Sequence, residues 1–241
     1  MKVIGITGGV GSGKSAVLAW MEQEYGACIC QMDEVAKQLQ KKGTECFKKI
    51  VDEFGDAVVG EDGELDRKEL GKMVFSSAEK LQCLNAIVHP AVLKWVQKDI
   101  VEKRKQGKPL YVVEAALLTD TGRELCDEMW YIYTSENIRR QRLKASRHYT
   151  DEKITDMIAS QPSEDTFRQA CQAVIDNSGD FEDTKRQITK APGIPEMVRK
   201  NVKKTGKYIY FCPSLSEENK NDIDTIMEEV KEWCQEIGLT E

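Results

Sequence analysis

The sequence predicts an α/β fold in which helices cover both faces of a parallel β-sheet, giving three layers. Short apolar runs alternate with segments whose hydrophobic residues recur at helical spacing, and this alternation is typical of parallel sheets. The first apolar run leads directly into a glycine-rich loop and then into a helical segment. Hydrophobic residues make up 40% of the 241 residues, which favours a globular chain over a disordered one.

The predicted elements follow the chain in this alternating order. The strands are the apolar runs Lys2–Ile6, Ala27–Cys30, Leu110–Glu114, Trp130–Tyr133 and Ala173–Ile175. Helices are predicted over 15–23, 34–54 and 136–161 from their apolar spacing. Residues 65–105 are also helical in pattern, with a break expected at His89-Pro90 because the residue before a proline is disfavoured in the helical region.

A boundary is expected at Ala191-Pro-Gly-Ile-Pro195, where proline and glycine interrupt the pattern. Residues 1–190 are therefore predicted to form one domain, and 191–241 a C-terminal extension of unknown role. Within the extension, about Glu217 to Ile237 has the apolar stripe of an amphipathic helix, which favours packing on a core over binding a partner.

Composition excludes several classes of protein. No apolar run is long enough to span a bilayer, and the first residues lack the layout of a secretory signal. A net charge of −6 argues against a protein built around nucleic-acid binding. The 8 cysteines are scattered without a C-x-x-C pair, as expected of free thiols in a reducing compartment. We therefore expect a cytoplasmic protein with no membrane or nucleic-acid partner.

Residues Gly8 to Ser15 match the G-x-x-x-x-G-K-[ST] pattern in full, between a predicted strand and a predicted helix. In this context the loop wraps the phosphates of a nucleoside triphosphate, with backbone N–H groups and the helix N-terminus facing the phosphate oxygens. We expect Lys14 to reach the β- and γ-phosphates and the Ser15 hydroxyl to ligate Mg²⁺. The residues expected along the nucleotide are Gly9, Val10, Gly11, Ser12, Gly13, Lys14, Ser15 and Ala16.

A GTPase is the first alternative, because D-x-x-G and N-K-x-D strings occur at Asp176–Gly179 and Asn219–Asp222. Neither has the expected context. The first lies far beyond the P-loop, and the second follows a polar segment instead of an apolar strand. The sequence favours a kinase with a small acceptor.

Two further features suit such a kinase. Asp33 follows the second predicted strand, and carboxyl ends of parallel strands line the ligand crevice, so Asp33 is the candidate base; the alternative is that it only caps the next helix. A basic run follows the fourth strand. Such a run is often a solvated helix face, but after a P-loop it favours phosphate binding. Its members are Arg139, Arg140, Arg142, Lys144 and Arg147.

In addition, several motifs in fixed order resemble the dephospho-coenzyme A kinase family over residues 1 to about 190. Besides the P-loop they are Asp33–Lys37, Phe54-Gly55, Gly63–Arg67 with Leu70, Val74-Phe75, Leu84–Pro90, Leu117-Leu118, the stretch around Arg142, Gln161 and Val174–Asn177. The resemblance implies a P-loop kinase fold with a five-stranded parallel sheet, a helical acceptor-binding lobe at about 60–105 and a helical lid at about 137–165. It also implies transfer of the γ-phosphoryl group of ATP, with Mg²⁺, to the ribose 3′-hydroxyl of dephospho-CoA, by a monomer or weak homo-oligomer.

The resemblance also assigns expected roles to individual residues. Lys14, Asp33 and Arg142 are the expected catalytic residues, with Asp33 also touching the acceptor. Asn177 is expected near the adenine. Arg139, Arg142 and Arg147 belong to the lid. Asp66, Arg67 and His89 belong to motifs of the acceptor lobe, although His89 is equally consistent with a hydrogen-bonded residue at a helix end.

Some positions depart from the family pattern. Gln31-Met-Asp33 stands for Asp-Ala-Asp, and Ala116–Asp120 stands for Pro-Leu-Leu-Phe-Glu. Ala16 replaces a threonine, and Ser146 occupies the place of a lid arginine, with Arg147 one step away. These departures leave two alternatives open: a P-loop kinase for another small nucleotide or nucleoside, and a weakly catalytic nucleotide-binding module.

Overall fold

The computed structural model describes residues 1–115, 122–191 and 193–194, and the statements below concern those residues. The strands are β1 (Lys2–Thr7), β2 (Cys28–Gln31), β3 (Leu110–Glu114), β4 (Glu128–Tyr133) and β5 (Ala173–Asp176). The helices are α1 (Lys14–Tyr25), α2 (Met32–Leu39), α3 (Glu45–Phe54), α4 (Arg67–Phe75), α5 (Ala78–Lys105), α6 (Gly122–Leu125), α7 (Glu136–Arg147), α8 (Asp151–Ala159), α9 (Glu164–Ala170) and α10 (Phe181–Lys190), with a 3₁₀ turn at Asp56–Val58.

The five strands form one parallel sheet in the order β2-β3-β1-β4-β5, so the predicted sheet is confirmed. The inner strands β1, β3 and β4 are buried along nearly their whole length, which is why they read as continuous apolar runs. Because every strand runs the same way, their carboxyl ends meet at one edge of the sheet. That edge carries the glycine-rich loop after β1 and the residues that follow β2 and β3.

Successive residues of the strands face opposite helical layers. Val3 and Tyr111 point to a core built with α2, α3, α4 and α5, whereas Ile4 and Val112 point to a second core built with α1 and α10. The sheet is therefore the middle of three layers, as predicted.

Two predicted helices are each divided in the structure. The segment 34–54 breaks after α2, where Gly43 has a φ of 87° and the Thr44 hydroxyl accepts a hydrogen bond from Phe47 N at 3.1 Å to start α3. The segment 136–161 breaks after α7, where His148 adopts the left-handed conformation (φ 53°) and Thr150 caps α8. In each case a short turn separates two helices, and the apolar residues on either side of the turn keep their helical spacing. The spacing of apolar residues therefore gives no sign of the turn.

The predicted break at His89-Pro90 is wrong, because α5 continues through it for 28 residues. Pro90 and Ala86 are both exposed, so the Ala86 carbonyl, which loses its N–H partner, faces water. Val88 and Val92, which flank the proline, stay in the core. The helix therefore keeps its apolar contacts and loses one hydrogen bond on its solvent-exposed face.

The predicted boundary falls where the chain still contacts the core. Ala191 and Ile194 are 6% and 2% exposed and pack with the α1 and α10 layer. The rest of the predicted extension, including the amphipathic helix at about Glu217 to Ile237, lies outside the described residues, as does Ala116–Asp120. Over the residues that are described, no helix has both the length and the apolar character needed to cross a membrane.

We expect Pro90→Ala to raise the free energy of unfolding by about 1–2 kcal/mol, because alanine restores the N–H donor inside α5 while losing only the proline's stiffening of the unfolded chain. Equilibrium unfolding in urea measures the change. Lys98→Ala, at an exposed site on the same helix, is the control and should stay within about 0.5 kcal/mol of the parent. Unchanged or lower stability of Pro90→Ala would mean that the helix is shaped to fit the ring.

Candidate active site

The loop between β1 and α1 wraps around a cleft at the carboxyl edge of the sheet. Gly11 and Gly13 have φ angles of 77° and 83°, which side chains rarely allow. A Cβ on Gly13 would also lie 2.4 Å from Asn177 Nδ2. The cleft has a volume of about 810 Å³, and all eight residues expected along the nucleotide, 9–16, line it.

Lys14 begins α1 and carries the charge at the centre of this loop. Its Nζ donates to Gly8 O at 2.7 Å and lies 3.6 Å from Glu114 Oε1. Burial disfavours the ammonium form and lowers the pKa of Lys14, while the Glu114 carboxylate opposes the change. The ammonium is thus held inside the loop, beside the space that the loop encloses.

Glu114, the last residue of β3, is a site residue that the sequence argument missed. It is 8% exposed, and burial raises the pKa of its carboxyl; the ammonium of Lys14 opposes this, Asp33 adds to it, and a hydrogen bond from Gln31 opposes it. Gln31, where the family pattern has Asp, therefore gives Glu114 a donor instead of a like charge. The rule that pointed to Asp33, the carboxyl end of a parallel strand, applies to Glu114 equally.

Asp33 lies in the first turn of α2, exposed at the edge of the cleft. The residue at the N-cap of α2 is Gln31, so the alternative that Asp33 is the helix cap is wrong. Asp33 lines the P-loop cleft and also a second cavity of about 300 Å³. A single carboxylate therefore faces two adjoining spaces.

The second cavity is bounded by α2 and the middle of α5. Its lining is mostly apolar, with Leu84, Val88, Val92 and Leu93 among the contributors. Its polar groups besides Asp33 are Gln40, Asn85 and His89. His89, placed by the sequence in the acceptor lobe, is thus brought to the same cavity as the candidate base.

Asp66 and Arg67 are not brought there. The Asp66 carboxylate caps α4, where Oδ1 accepts from Lys68 N at 2.9 Å and Glu69 N at 3.0 Å. Arg67 is exposed, and neither residue lines the P-loop cleft or the cavity beside it. Their expected role in acceptor binding stays a prediction.

The basic run divides between the P-loop and the solvent. Arg139 turns inward: its Nε donates to Val10 O at 2.8 Å and its Nη2 to Gln161 Oε1 at 2.8 Å, and that same oxygen accepts from Val10 N at 3.1 Å. Burial lowers the pKa of the Arg139 guanidinium. Arg140 and Lys144 turn outward to the carboxylate of Asp151, so this half of the run is a solvated face.

Arg142 and Arg147 line the cleft from α7, as does Ser146. Arg142 Nη2 donates to Asn177 O at 2.8 Å, and its Nη1 lies 3.4 Å from Ser12 O. The Ser146 hydroxyl donates back to Arg142 O at 2.7 Å, so it does not replace a phosphate ligand here. Asn177 also lines the cleft, with its side-chain amide directed at the P-loop.

The oxygen donors at the cleft fit a magnesium ion held partly by the nucleotide. Ser15, Asp33 and Glu114 all line it, and hydroxyl and carboxylate oxygens are the ligands that Mg²⁺ prefers. Across the described residues, no group of three or more His, Cys, Asp or Glu side chains forms a metal cage. Mg²⁺ commonly takes one or two protein ligands and completes its shell with phosphates and water.

Comparison with known proteins matches the sequence to one family. The family model for dephospho-CoA kinase matches residues 2–183. The chain belongs to the dephospho-CoA kinase family. Curated dephospho-CoA kinases of Carboxydothermus hydrogenoformans and Symbiobacterium thermophilum are 39% and 37% identical to it. The matches cover 78% and 79% of this chain and 91% and 80% of those proteins.

Solved structures agree with the fold. A crystal structure of a Thermus thermophilus protein is 30% identical, with a TM-score of 0.65, over 78% of this chain and 94% of that one. A dephospho-CoA kinase from Campylobacter jejuni shares the fold, with a TM-score of 0.58 at 21% identity over 79% of this chain and 95% of that chain. Membership in a kinase family makes the GTPase interpretation wrong. The string Asp176–Gly179 begins at the end of β5, and Asn219–Asp222 lies outside the described residues.

We expect Glu114→Gln to change the dependence of stability on pH. The pKa of Glu114 lies above its ordinary value of about 4.5 in the folded protein, so its contribution to stability is complete below that pH and is lost as the pH rises through the raised pKa. Glutamine does not ionise, so the variant has no such loss of stability. The stability of the variant relative to the parent should therefore increase as the pH rises from about 4.5 to neutrality, as measured by urea unfolding at several pH values. A difference that stays constant with pH would contradict the assignment.

Proposed function

We propose that this chain transfers the γ-phosphoryl group of ATP to the ribose 3′-hydroxyl of dephospho-CoA, with Mg²⁺ at the donor phosphates. The observation that carries the proposal is the place of Asp33, which lines both the P-loop cleft and the adjoining cavity. A carboxylate at that junction can face an acceptor hydroxyl on one side and the donor phosphates on the other. Membership in the family supports the choice of acceptor.

The donor phosphates belong in the P-loop cleft. Backbone N–H groups of the loop and the N-terminus of α1 face them, and Lys14 reaches them by leaving the Gly8 carbonyl. A magnesium ion held in the cleft would supply positive charge that offsets the negative charge developing on the transferred phosphoryl group. The Ser15 hydroxyl and the carboxylate of Glu114 are the groups that would hold the ion.

Asp33 acts on the acceptor. It accepts the proton of the 3′-hydroxyl as that oxygen forms its bond to the γ-phosphorus. The bond from this phosphorus to the oxygen shared with the β-phosphate breaks, and ADP leaves with the electron pair. The apolar wall of the second cavity, formed by α5, holds the acceptor and keeps water from competing for the phosphoryl group.

Arg142 and Arg147 act from the lid. In this structure Arg142 binds the neutral carbonyl oxygens of Ser12 and Asn177. Phosphate oxygens are stronger partners for a guanidinium, so nucleotide binding should draw Arg142 into the cleft. Lid and P-loop then close on the same phosphates, which excludes water during transfer.

We also propose a cytoplasmic location and a catalytic unit formed by residues 1–190. The cysteines of the described residues are free thiols, which suits a reducing compartment. The family match supports the extent of the unit. A monomeric or weakly associating state stays a prediction.

Asp33→Asn should lower kcat by roughly 10²–10⁴, because asparagine cannot take the hydroxyl proton. Release of ADP, measured in a coupled assay with ATP, Mg²⁺ and dephospho-CoA, gives the rate. Glu34→Gln is the matched control: Glu34 is the next residue of α2, is exposed and pairs with Lys37, and its loss should leave turnover unchanged. Turnover of Asp33→Asn within twofold of the parent would remove Asp33 from the role of base.

His89→Ala should raise KM for dephospho-CoA by about three- to tenfold and leave KM for ATP unchanged, because it removes one polar contact from the second cavity only. Steady-state kinetics with each substrate varied in turn separates the two constants. Gln82→Ala, exposed on the same helix and outside that cavity, serves as the control. A rise in KM for ATP instead would place the acceptor elsewhere.

The acceptor itself is tested with a panel of hydroxyl compounds. The purified full chain, ATP and Mg²⁺ are assayed for ADP release with dephospho-CoA, a nucleoside, a nucleoside monophosphate and no acceptor. We expect acceptor-dependent turnover with dephospho-CoA. Turnover only with another acceptor would indicate a different small-molecule kinase, and ATP binding without any acceptor-dependent turnover would indicate a nucleotide-binding module. Either result would overturn the proposal.

A further inference from the structure

Asn177 follows β5 and is bonded inside the protein at both ends of its side-chain amide. Its Nδ2 donates to Ser12 O at 2.7 Å, and its Oδ1 accepts from Thr184 Oγ1 at 2.9 Å. The residue is 3% exposed. Its backbone is bonded too, since its N–H donates to Tyr133 O at 2.8 Å and its carbonyl accepts from Arg142. The amide is therefore engaged with the P-loop and with α10, and not held free for a nucleobase.

The carbonyl of Ser12 is where these contacts meet. Three side chains from three elements approach this one oxygen: Asn177 after β5 at 2.7 Å, Thr134 after β4 at 3.0 Å, and Arg142 of α7 at 3.4 Å. The carbonyl oxygen and the N–H of one trans peptide unit point in opposite directions. Hydrogen bonds to the Ser12 oxygen from side chains outside the loop therefore turn the N–H of Gly13 toward the inside of the loop, where the phosphates bind.

Gly13 and the side chain of Asn177 are in close contact. A Cβ at this position would meet Asn177 Nδ2 at 2.4 Å and Arg142 Nη1 at 3.1 Å. The contact between the amide and the loop is thus possible only because position 13 has no side chain. Glycine at position 13 of the motif therefore allows Asn177 to contact the loop, and it also allows the backbone to adopt a positive φ angle.

We propose that Asn177 is a positioning residue for the phosphate-binding backbone. Through the Ser12 carbonyl it aims the Gly13 N–H at the donor phosphate, and the Thr184 hydroxyl fixes the orientation of its amide. It does not recognise the adenine base, in contrast to the place near adenine that the family resemblance implies. The inference rests on the proposed donor site and is independent of the acceptor.

Two probes separate positioning from base recognition: ATP, and inorganic tripolyphosphate, which has phosphates and no base. Both are titrated with Mg²⁺ into the full chain and followed by calorimetry. Asn177→Ala should weaken both probes by the same factor, about tenfold, because the loop loses the contact that orients its N–H group. A neutral substitution is chosen so that no new charge repels the phosphates.

Thr184→Val tests the same idea one step farther from the ligand. It keeps the shape of the side chain and removes the hydroxyl, which donates to Asn177 Oδ1 at 2.9 Å and lies 3.2 Å from Asp176 O. We expect it to weaken both probes by about two- to fivefold, and Thr184→Ser, which retains the hydroxyl, to bind like the parent. The double variant Asn177→Ala/Thr184→Val should bind no more weakly than Asn177→Ala, because the proposal assigns the effect of Thr184 on the loop to its hydrogen bond with Asn177.

Two results would overturn the proposal. Weaker binding of ATP with unchanged binding of tripolyphosphate would make Asn177 a reader of the base. A lower melting temperature of Asn177→Ala with unchanged affinity for both probes would make it a structural residue only. If Asn177→Ala fails to fold, the Thr184→Val and Thr184→Ser pair decides by the same comparison. Failure of the parent to turn over dephospho-CoA would count against the proposed function and leave these binding ratios intact.

Discussion

The buried ammonium group of Lys14 is the constraint around which the cleft is arranged. An ammonium removed from water must find other partners, and here they are the Gly8 carbonyl at 2.7 Å and the Glu114 carboxylate at 3.6 Å. Each partner imposes a condition: the loop must curl far enough to turn a carbonyl inward, and β3 must end level with β1. Glu114 is buried in turn and receives a hydrogen bond from Gln31 of the neighbouring strand. Three adjacent strands are thus tied to one charge, and a bound phosphate would take over the partners' task.

The parts of this molecule that sequence could predict are those fixed by local rules. All five strands were predicted because a parallel sheet buried on both faces needs continuous apolar runs, and the P-loop because its glycines and Lys14 occur at fixed spacing. The turns at Gly43 and His148 were missed because they leave the apolar period intact. The break expected at Pro90 was wrong because the cost of a proline depends on which side of the helix faces water, which only packing decides. The position of Glu114 at the end of a strand was a sequence signal that could have placed it in the site. The contact of Asn177 with Ser12 had no such signal, because it joins residues far apart in the chain.

The basic run shows how one helix serves two purposes. Residues 139 and 142 of α7 face the P-loop, whereas residues 140 and 144 pair with Asp151 at the start of α8. The outward pairs lie at the surface and contribute little to stability individually, but they join α7 to α8. The inward pair binds backbone carbonyls of the loop. Helix α7 is therefore attached to the P-loop through carbonyl oxygens, which are weaker partners for a guanidinium than phosphate oxygens are.

Helix α5 links the second cavity to the interior of the protein. At 1.5 Å per residue its 28 residues extend about 42 Å. One stretch walls the cavity opposite Asp33, and farther along Val96 and Ile100 lie in the core while Asp99 accepts a hydrogen bond from Tyr111 of β3 at 2.6 Å. The helix packs into the core both beside the cavity, at Val88 and Val92, and farther along, at Val96 and Ile100, so this packing fixes the cavity wall relative to Asp33. Substitutions on the cavity side of α5 would therefore change the size and shape of the second cavity and leave the P-loop cleft, which is lined by other elements, unaltered.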